Sequence, residues 1–207
     1  MFADIVIPKN NETEFVDLAS KLGFKKLYFL YYFDEYNEEK SRKNLSLIKN
    51  NTNLNFEIGF IVNQKNINRA LHQSKILAIK SSDKDRLFIE SQKIKLIYAL
   101  EELKKKDYLH QRASGLNHII CELAKKNNVT IGFSYSSLFD KDSVAASILI
   151  GRLVQNIRLC QKYKVRTIIG SFSEKPYNLR SPYEIISLFT LLGMNSKNIK
   201  ESLTLNL

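Results

Sequence analysis

The chain has 207 residues, 44% of them hydrophobic, which fits one domain with a full core. Its net charge of +11 is uneven: residues 104–180 carry 14 Lys/Arg against 5 Asp/Glu. That bias favours a polyanion such as RNA or DNA, unless a Lys- and Asn-rich composition simply makes every surface basic.

Two cysteines, Cys121 and Cys160, are too few for a disulfide framework or a zinc cage. No apolar run reaches membrane-spanning length and the N-terminus opens on an apparent strand, so an intracellular chain without a signal peptide is expected. Residues 3–7 are an apolar run of strand length. Asn11 with Glu14 reads as the cap of a helix carrying Phe15, Leu18, Ala19 and Leu22, stopped by Gly23. Residues 26–32 predict a second strand, the charged segment 34–50 a mostly polar helix, and 55–62 a third strand. Asn63 is placed to cap a short helix through Leu71. A fourth strand follows at 76–79, a helix opened by Ser82 with Asp85, and a fifth strand at 93–98.

The stretch 112–139 is loop, helix, strand. Ser114 stands where an N-cap would, with Asn117 in the return position of a capping box. Leu116, Ile119, Ile120, Leu123 and Ala124 form one apolar stripe, and Lys125 and Lys126 close the last turn. His118 points away from that stripe, beside free N–H groups that attract phosphate. Residues 129–135 read as a buried strand. Asp140 is the expected cap of the longest helix, 141–163, with Val144, Ile148, Leu149, Leu153, Ile157 and Cys160 toward the core. The last strand is 165–169. Ser181-Pro182-Tyr183-Glu184 is a strong helix start, with N-cap Ser, Pro first and Glu third. Ile185, Ile186, Leu188, Phe189 and Leu192 fill that helix, Gly193 stops it, and a final helix spans about 195–203.

Seven strands, nearly all separated by helices, imply parallel pairing with right-handed crossovers. At this length the expected fold is a TIM-barrel-like parallel (β/α) barrel in a single domain, 1–207. A barrel places function in the loops after its strands. The three histidines, His72, His110 and His118, form no metal-binding spacing, and Asp34, Glu35, Glu101 and Glu102 lie in charged runs that read as solvated surface. No catalytic residue and no metal site on the protein are expected. Ser134, Ser136, Ser137, Ser171 and Ser173 lack a nucleophile elbow and read as turn residues. The cations are better placed: Arg112 and His118 flank one helix start, Lys175 and Arg180 another, Lys80 follows a strand and Arg86 sits in the next first turn. Such groups on one face make a phosphate-binding surface, with Tyr135 and Tyr177 available to stack on bases. The alternatives are a metal-dependent phosphoesterase on the same barrel and a platform for protein partners.

Several segments resemble a known family: F-A-D-I-V-I-P at 2–8, R-A-S-G-L-N-H at 112–118, A-K-K-N-N-V-T-I-G-F-S-Y-S at 124–136, R-S-P-Y-E-I at 180–185 and L-L-G-M at 191–194. They are similar to ribonuclease P protein component 3, the archaeal and eukaryotic thirty-kilodalton subunit family. Two departures stand out: G-S-F-S-E-K at 170–175 replaces a Ser-Ser-Gly-Ala-like turn, and the fifth strand lacks an acidic residue near its end. The resemblance implies a barrel related to the polymerase and histidinol phosphatase (PHP) metallohydrolases without their metal ligands. It implies a non-catalytic subunit of an endoribonuclease that removes the 5′ leader of precursor tRNA, with Mg²⁺ and the chemistry on the RNA and no cofactor on the protein. The implied partners are the ribonuclease P RNA, protein component 2 in a two-plus-two heterotetramer, and precursor tRNA indirectly, in the cytoplasm and away from membranes. Arg112, Asn117, His118 and Arg180 match motif positions; the first and last are assigned to RNA phosphates, and Asn117 to holding the loop. Ser114, Ser181 and Glu184 complete the structural motif.

Overall fold

Each of the seven apolar runs forms a strand in the computed structural model, which describes residues 1–37, 54–103, 106–107, 111–139, 141–204 and 207. The strands are β1 (Ala3–Val6), β2 (Lys26–Tyr32), β3 (Asn55–Ile61), β4 (Leu77–Lys80), β5 (Leu96–Tyr98), β6 (Thr130–Ser134) and β7 (Thr167–Gly170). They pair in sequence order and all in parallel. The chain after β7 then returns to β1: Phe172 N–H donates to Ile5 O at 2.8 Å and Ile7 N–H to Ser173 O at 2.9 Å. This makes a nearly closed TIM-barrel-like barrel. The expected helix at 34–50 falls largely outside the described residues, and its first two residues lie in a turn.

The strands read as continuous apolar runs because both faces are buried. Ile5, Tyr28, Leu30, Leu96, Tyr98 and Ile168 fill the lumen. Val6, Leu27, Phe29, Leu77, Ile131 and Phe133 belong to the larger outer core, which the helices share. Gly132 on β6 is required by a close approach, since a Cβ there would lie 2.8 Å from the Phe172 ring and 3.0 Å from Tyr98 Cβ.

The helices are α1 (Glu12–Leu22), α2 (Ile67–Leu71), α3 (Asp85–Glu90), α4 (His118–Lys126), α5 (Ser143–Tyr163), α6 (Pro182–Leu191) and α7 (Ser196–Thr204). Their positions match the periodicity; several of their caps do not. Asn11 stands at the α1 N-cap, but its side chain accepts from Lys9 N–H and donates to Glu174 O instead. Asn66, not Asn63, stands before α2; Asn63 organises the preceding turn by accepting from Lys65 N–H at 2.9 Å. Before α3, the Asp85 carboxyl accepts from Ser82 N–H, and Lys84 takes the cap position.

Ser114 does not cap α4. Asn117 does, its Oδ1 accepting from Ile120 N–H at 2.9 Å. Ser114 is buried and claimed by α5, whose Gln155 and Asn156 amides donate to its hydroxyl and carbonyl. The buried face of α4 is Ile120, Cys121 and Ala124, and Ile119 is exposed. Asp142 caps α5 through Ala145 N–H; Asp140 lies outside the described residues. Along α5 the core side is Leu149, Arg152, Leu153, Asn156, Ile157 and Cys160, while Val144 and Ile148 are exposed.

The Ser-Pro start of α6 forms as expected. Ser181 Oγ accepts from Glu184 N–H at 3.4 Å, and Glu184 Oε2 accepts from Ser181 N–H at 2.8 Å. Hydrogen bonds from the Ser181 hydroxyl and backbone hold the Glu184 carboxyl below its usual range. Ser181→Ala is expected to cost about 0.5–2 kcal/mol, read as a lower urea midpoint at unchanged m-value. An unchanged midpoint would mean that the capping box adds no net stability.

Candidate nucleic-acid interface

The capping box fixes where α6 begins, and therefore where Arg180 stands. The Arg180 guanidinium lies over the Phe139 ring at 4.5 Å and donates to the carbonyls of Tyr177 and Leu179 at 2.9 and 2.8 Å. Its backbone N–H reaches the Tyr135 hydroxyl at 3.4 Å, which in turn donates to Asp4 at 2.6 Å. Tyr135 is therefore buried, and the expected stacking on a base is corrected: the ring belongs to the core. Tyr177 is 61% exposed and keeps an open ring, with Lys175 Nζ 5.5 Å from its centroid.

Asp4 sits beneath this arrangement. Burial pushes its carboxyl up to about 7, against hydrogen bonds from Tyr135, Ser171 and Ile5 that pull it down. The strand-end serines are turn residues, as expected. Ser134 and Ser136 both donate to Ser171 O, and Ser171 donates to Ile5 O.

Arg112 is held in a second arrangement. Its guanidinium lies against Gly151 of α5, where any Cβ would collide with it. It pairs with Asp107 at 3.2 Å, and its backbone exchanges hydrogen bonds with Gln155. Asp107 is shared: its carboxyl also accepts from Ala113 N–H and from Arg152. Desolvation pushes Asp107 up, but the Ala113 N–H and the two arginines outweigh it, and the net shift is downward. His118, the first residue of α4, is exposed. His110 lies outside the described residues.

Lys80 and Lys175 meet in one cleft of about 260 Å³ at the C-terminal mouth of the barrel, with Ser136, Ser137, Glu102 and Asn178. Lys80 also lines a neighbouring cleft of about 590 Å³ with Lys141 and Arg152, two cations that the sequence reading passed over. Lys141 shows only as an ordinary residue beside a helix start, and Arg152 occupies a core position of α5 that its residue type disguises. Arg86 joins neither cleft; it pairs with Glu90 of its own helix at 2.8 Å. Lys80 pairs with Glu102 at 3.2 Å.

Glu101 corrects the picture of solvated carboxylates. It is fully buried in the turn after β5, whereas Asp34 and Glu35 are exposed. An acidic residue thus does stand near the end of the fifth strand, three positions beyond it. Among the described residues no group of three His, Cys, Asp or Glu is arranged to hold a metal ion. No helix among them is long and apolar enough to cross a membrane.

Comparison with known proteins places this geometry. The family model for RNase P subunit p30 matches residues 1–207. Ribonuclease P protein component 3 of Methanothermobacter thermautotrophicus is 23% identical over 198 residues, spanning 90% of this chain and 77% of that protein. Its counterpart in Methanocaldococcus jannaschii is 25% identical over 123 residues, spanning 56% of this chain and 53% of that protein. A chain in the cryo-EM structure of archaeal ribonuclease P with mature tRNA has the same fold, with a TM-score of 0.80 at 20% identity, covering 97% of this chain and 87% of that one. With a family model matched from its first residue to its last, and the motif residues Arg112, Asn117 and Arg180 each built into a defined contact, the chain belongs to the RNase P subunit p30 family.

Proposed function

We propose that this chain is a protein subunit of ribonuclease P that binds and supports the catalytic RNA in removing the 5′ leader of precursor tRNA. The family match over residues 1–207 carries the reading, and it favours this role over a metal-dependent phosphoesterase. The chain acts as a single barrel domain in the cytoplasm and binds no cofactor of its own; Mg²⁺ and the hydrolysis belong to the RNA. It pairs with protein component 2 in a two-plus-two assembly, and precursor tRNA meets it through that complex.

Phosphate contacts come from Lys80, Lys175, Arg180 and Arg112, with His118 and Arg86 at the flanks. Arg180 and Arg112 are held by stacking, an ion pair and carbonyl acceptors, so little rotamer freedom remains to be lost on binding.

The test is reconstitution with component 2 and the ribonuclease P RNA at limiting Mg²⁺. Leader cleavage should rise only when all three are present. Chelator-sensitive cleavage by the protein alone would overturn the reading. RNA affinity should fall steeply with salt, with a log–log slope of about −0.7 to −0.9 per phosphate neutralised. Arg180→Ala should shrink that slope by about one contact's share; an unchanged slope would remove Arg180 from the interface.

A further inference from the structure

Two exits from the barrel hold strained backbone. Ala99, directly after β5, has φ 61°, and Phe172, two residues after β7, has φ 49°. Side-chain-bearing residues rarely adopt this conformation, and where they do it clusters at ligand sites. The two positions serve one feature. The Tyr98 and Phe172 rings stack with centroids 4.6 Å apart and planes within 6°, and both line the 260 Å³ cleft.

Tyr98 is only 3% exposed, and its hydroxyl has no hydrogen-bond partner among the described residues. A buried polar group left open in this way calls for an explanation. Tyr32, Glu102 and Glu174 stand around it; the Tyr32 side chain is near enough to act on the hydroxyl, but no contact meets hydrogen-bond geometry. Lys80 and Lys175 line the same cleft. Glu102 holds Lys80 at 3.2 Å, and Glu174 holds Lys9 at 2.8 Å. The mouth thus offers two carboxylates as acceptors, two ammonium groups as donors, and a neutral phenol lacking a partner.

We propose that the barrel mouth binds a single ribonucleotide bearing both a phosphate and a free 2′,3′-diol. Lys80 and Lys175 take the phosphate, Glu102 and Glu174 accept from the vicinal hydroxyls, and the Tyr98 hydroxyl finds its missing partner on the sugar. A bare anion uses the lysines alone and leaves the Tyr98 hydroxyl without a partner. A simple cation must displace the lysines that already neutralise them. The volume lies just below the roughly 300–1,000 Å³ of small-molecule pockets, which admits one nucleotide and no duplex. Lys80 and Lys175 are shared with the RNA surface proposed above, but the site needs neither the catalytic RNA nor component 2 to fill, so binding to the isolated chain tests it separately. A free mononucleotide and the 3′-terminal nucleotide of an RNA share the required chemistry.

The experiment is calorimetry on the full chain with AMP, set against 2′-deoxy-AMP, adenosine and inorganic phosphate. AMP should bind, and each comparator should bind about tenfold more weakly or worse, having lost one charged hydrogen-bond set. Tyr98→Phe should weaken AMP about tenfold while raising Tm, because it removes the orphan hydroxyl. No AMP binding at millimolar concentration, AMP bound no tighter than phosphate, or affinity indifferent to Tyr98→Phe would each overturn the proposal. A lowered Tm in that variant would also overturn it, by showing the hydroxyl already partnered. Competition with AMP by a short RNA ending in a 3′-hydroxyl, and not by the same RNA ending in a 3′-phosphate, assigns the site to RNA ends. Competition by neither assigns it to free mononucleotides.

Discussion

Replacing Arg152 with Ala should be the most damaging single change among the polar residues, at about 3–5 kcal/mol. Its guanidinium is 7% exposed in the middle of α5 and holds Glu101, Leu103 and Asp107, which lie between β5 and α4. It donates to Glu101 O at 3.0 Å and Leu103 O at 2.8 Å, and pairs with Asp107 at 2.8 Å. Alanine leaves two carbonyls without this donor and strips the Asp107 carboxylate of one of its two arginines, and the cost of those orphans exceeds the net worth of the bonds themselves. For a chain of this size the loss corresponds to roughly a 6–20 °C fall in Tm. Arg152→Lys should fall between, because it keeps the charge and loses the planar fork. A loss below about 0.5 kcal/mol for the alanine variant, the range of ordinary surface changes, would show that the segment holds itself. The same variant should also weaken RNA binding if Arg112 is a phosphate contact as proposed, since Asp107 anchors both arginines.

The strands were legible because a parallel barrel buries both faces of each one, and an apolar run bounded by helix signals needs no partner to be read. The helices were legible for position and less so for phase. On α5 the buried stripe 149, 152, 153, 156, 157 and 160 keeps helical spacing, but two of its members are Arg152 and Asn156. Weighting by hydrophobicity turned the wheel toward Val144 and Ile148 instead. The cap of α4 failed for a related reason. R-A-S-G-L-N-H contains two residues able to cap, and the choice is made by Gln155 and Asn156, about forty positions along the chain, which occupy Ser114.

The cations of the candidate interface were legible as types at strand and helix ends. Their arrangement was not. Lys80 and Lys175 come together only through barrel closure, and Arg86 turns to its own helix. Tyr135 looked like a surface aromatic because nothing local marks the Asp4 carboxylate, 131 positions earlier, that accepts its hydroxyl and draws it inside.

Glu101 should make stability fall with rising pH, and Glu101→Gln should abolish that part of the dependence. Both carboxyl oxygens are buried, and no contact to them meets full hydrogen-bond geometry, although two backbone N–H groups approach. Burial drives the group up to about 8; its own N–H, that of Ser134 and the charge of Lys80 only soften the shift. In the unfolded chain the same carboxyl ionises near the ordinary 4.5. Between these values the unfolded state releases a proton that the native state keeps, so unfolding is favoured as pH rises, by about 1.4 kcal/mol per unit. The stabilising contribution is complete below pH 4.5 and gone above about pH 8. Asp4, raised from 3.8 to about 7, acts with the same sign over a lower window, and it cancels when variant and parent are compared at each pH. Urea unfolding at pH 5 and pH 7.5 should therefore show Glu101→Gln gaining on the parent by on the order of 2–3 kcal/mol between the two. A gain that stays flat would mean that Glu101 is ionised and paired. The sign matters for the RNA surface as well. A neutral Glu101 leaves the cleft of Lys80, Lys141 and Arg152 with an excess of positive charge, and an ionised one would lower the attraction of that cleft for any anion.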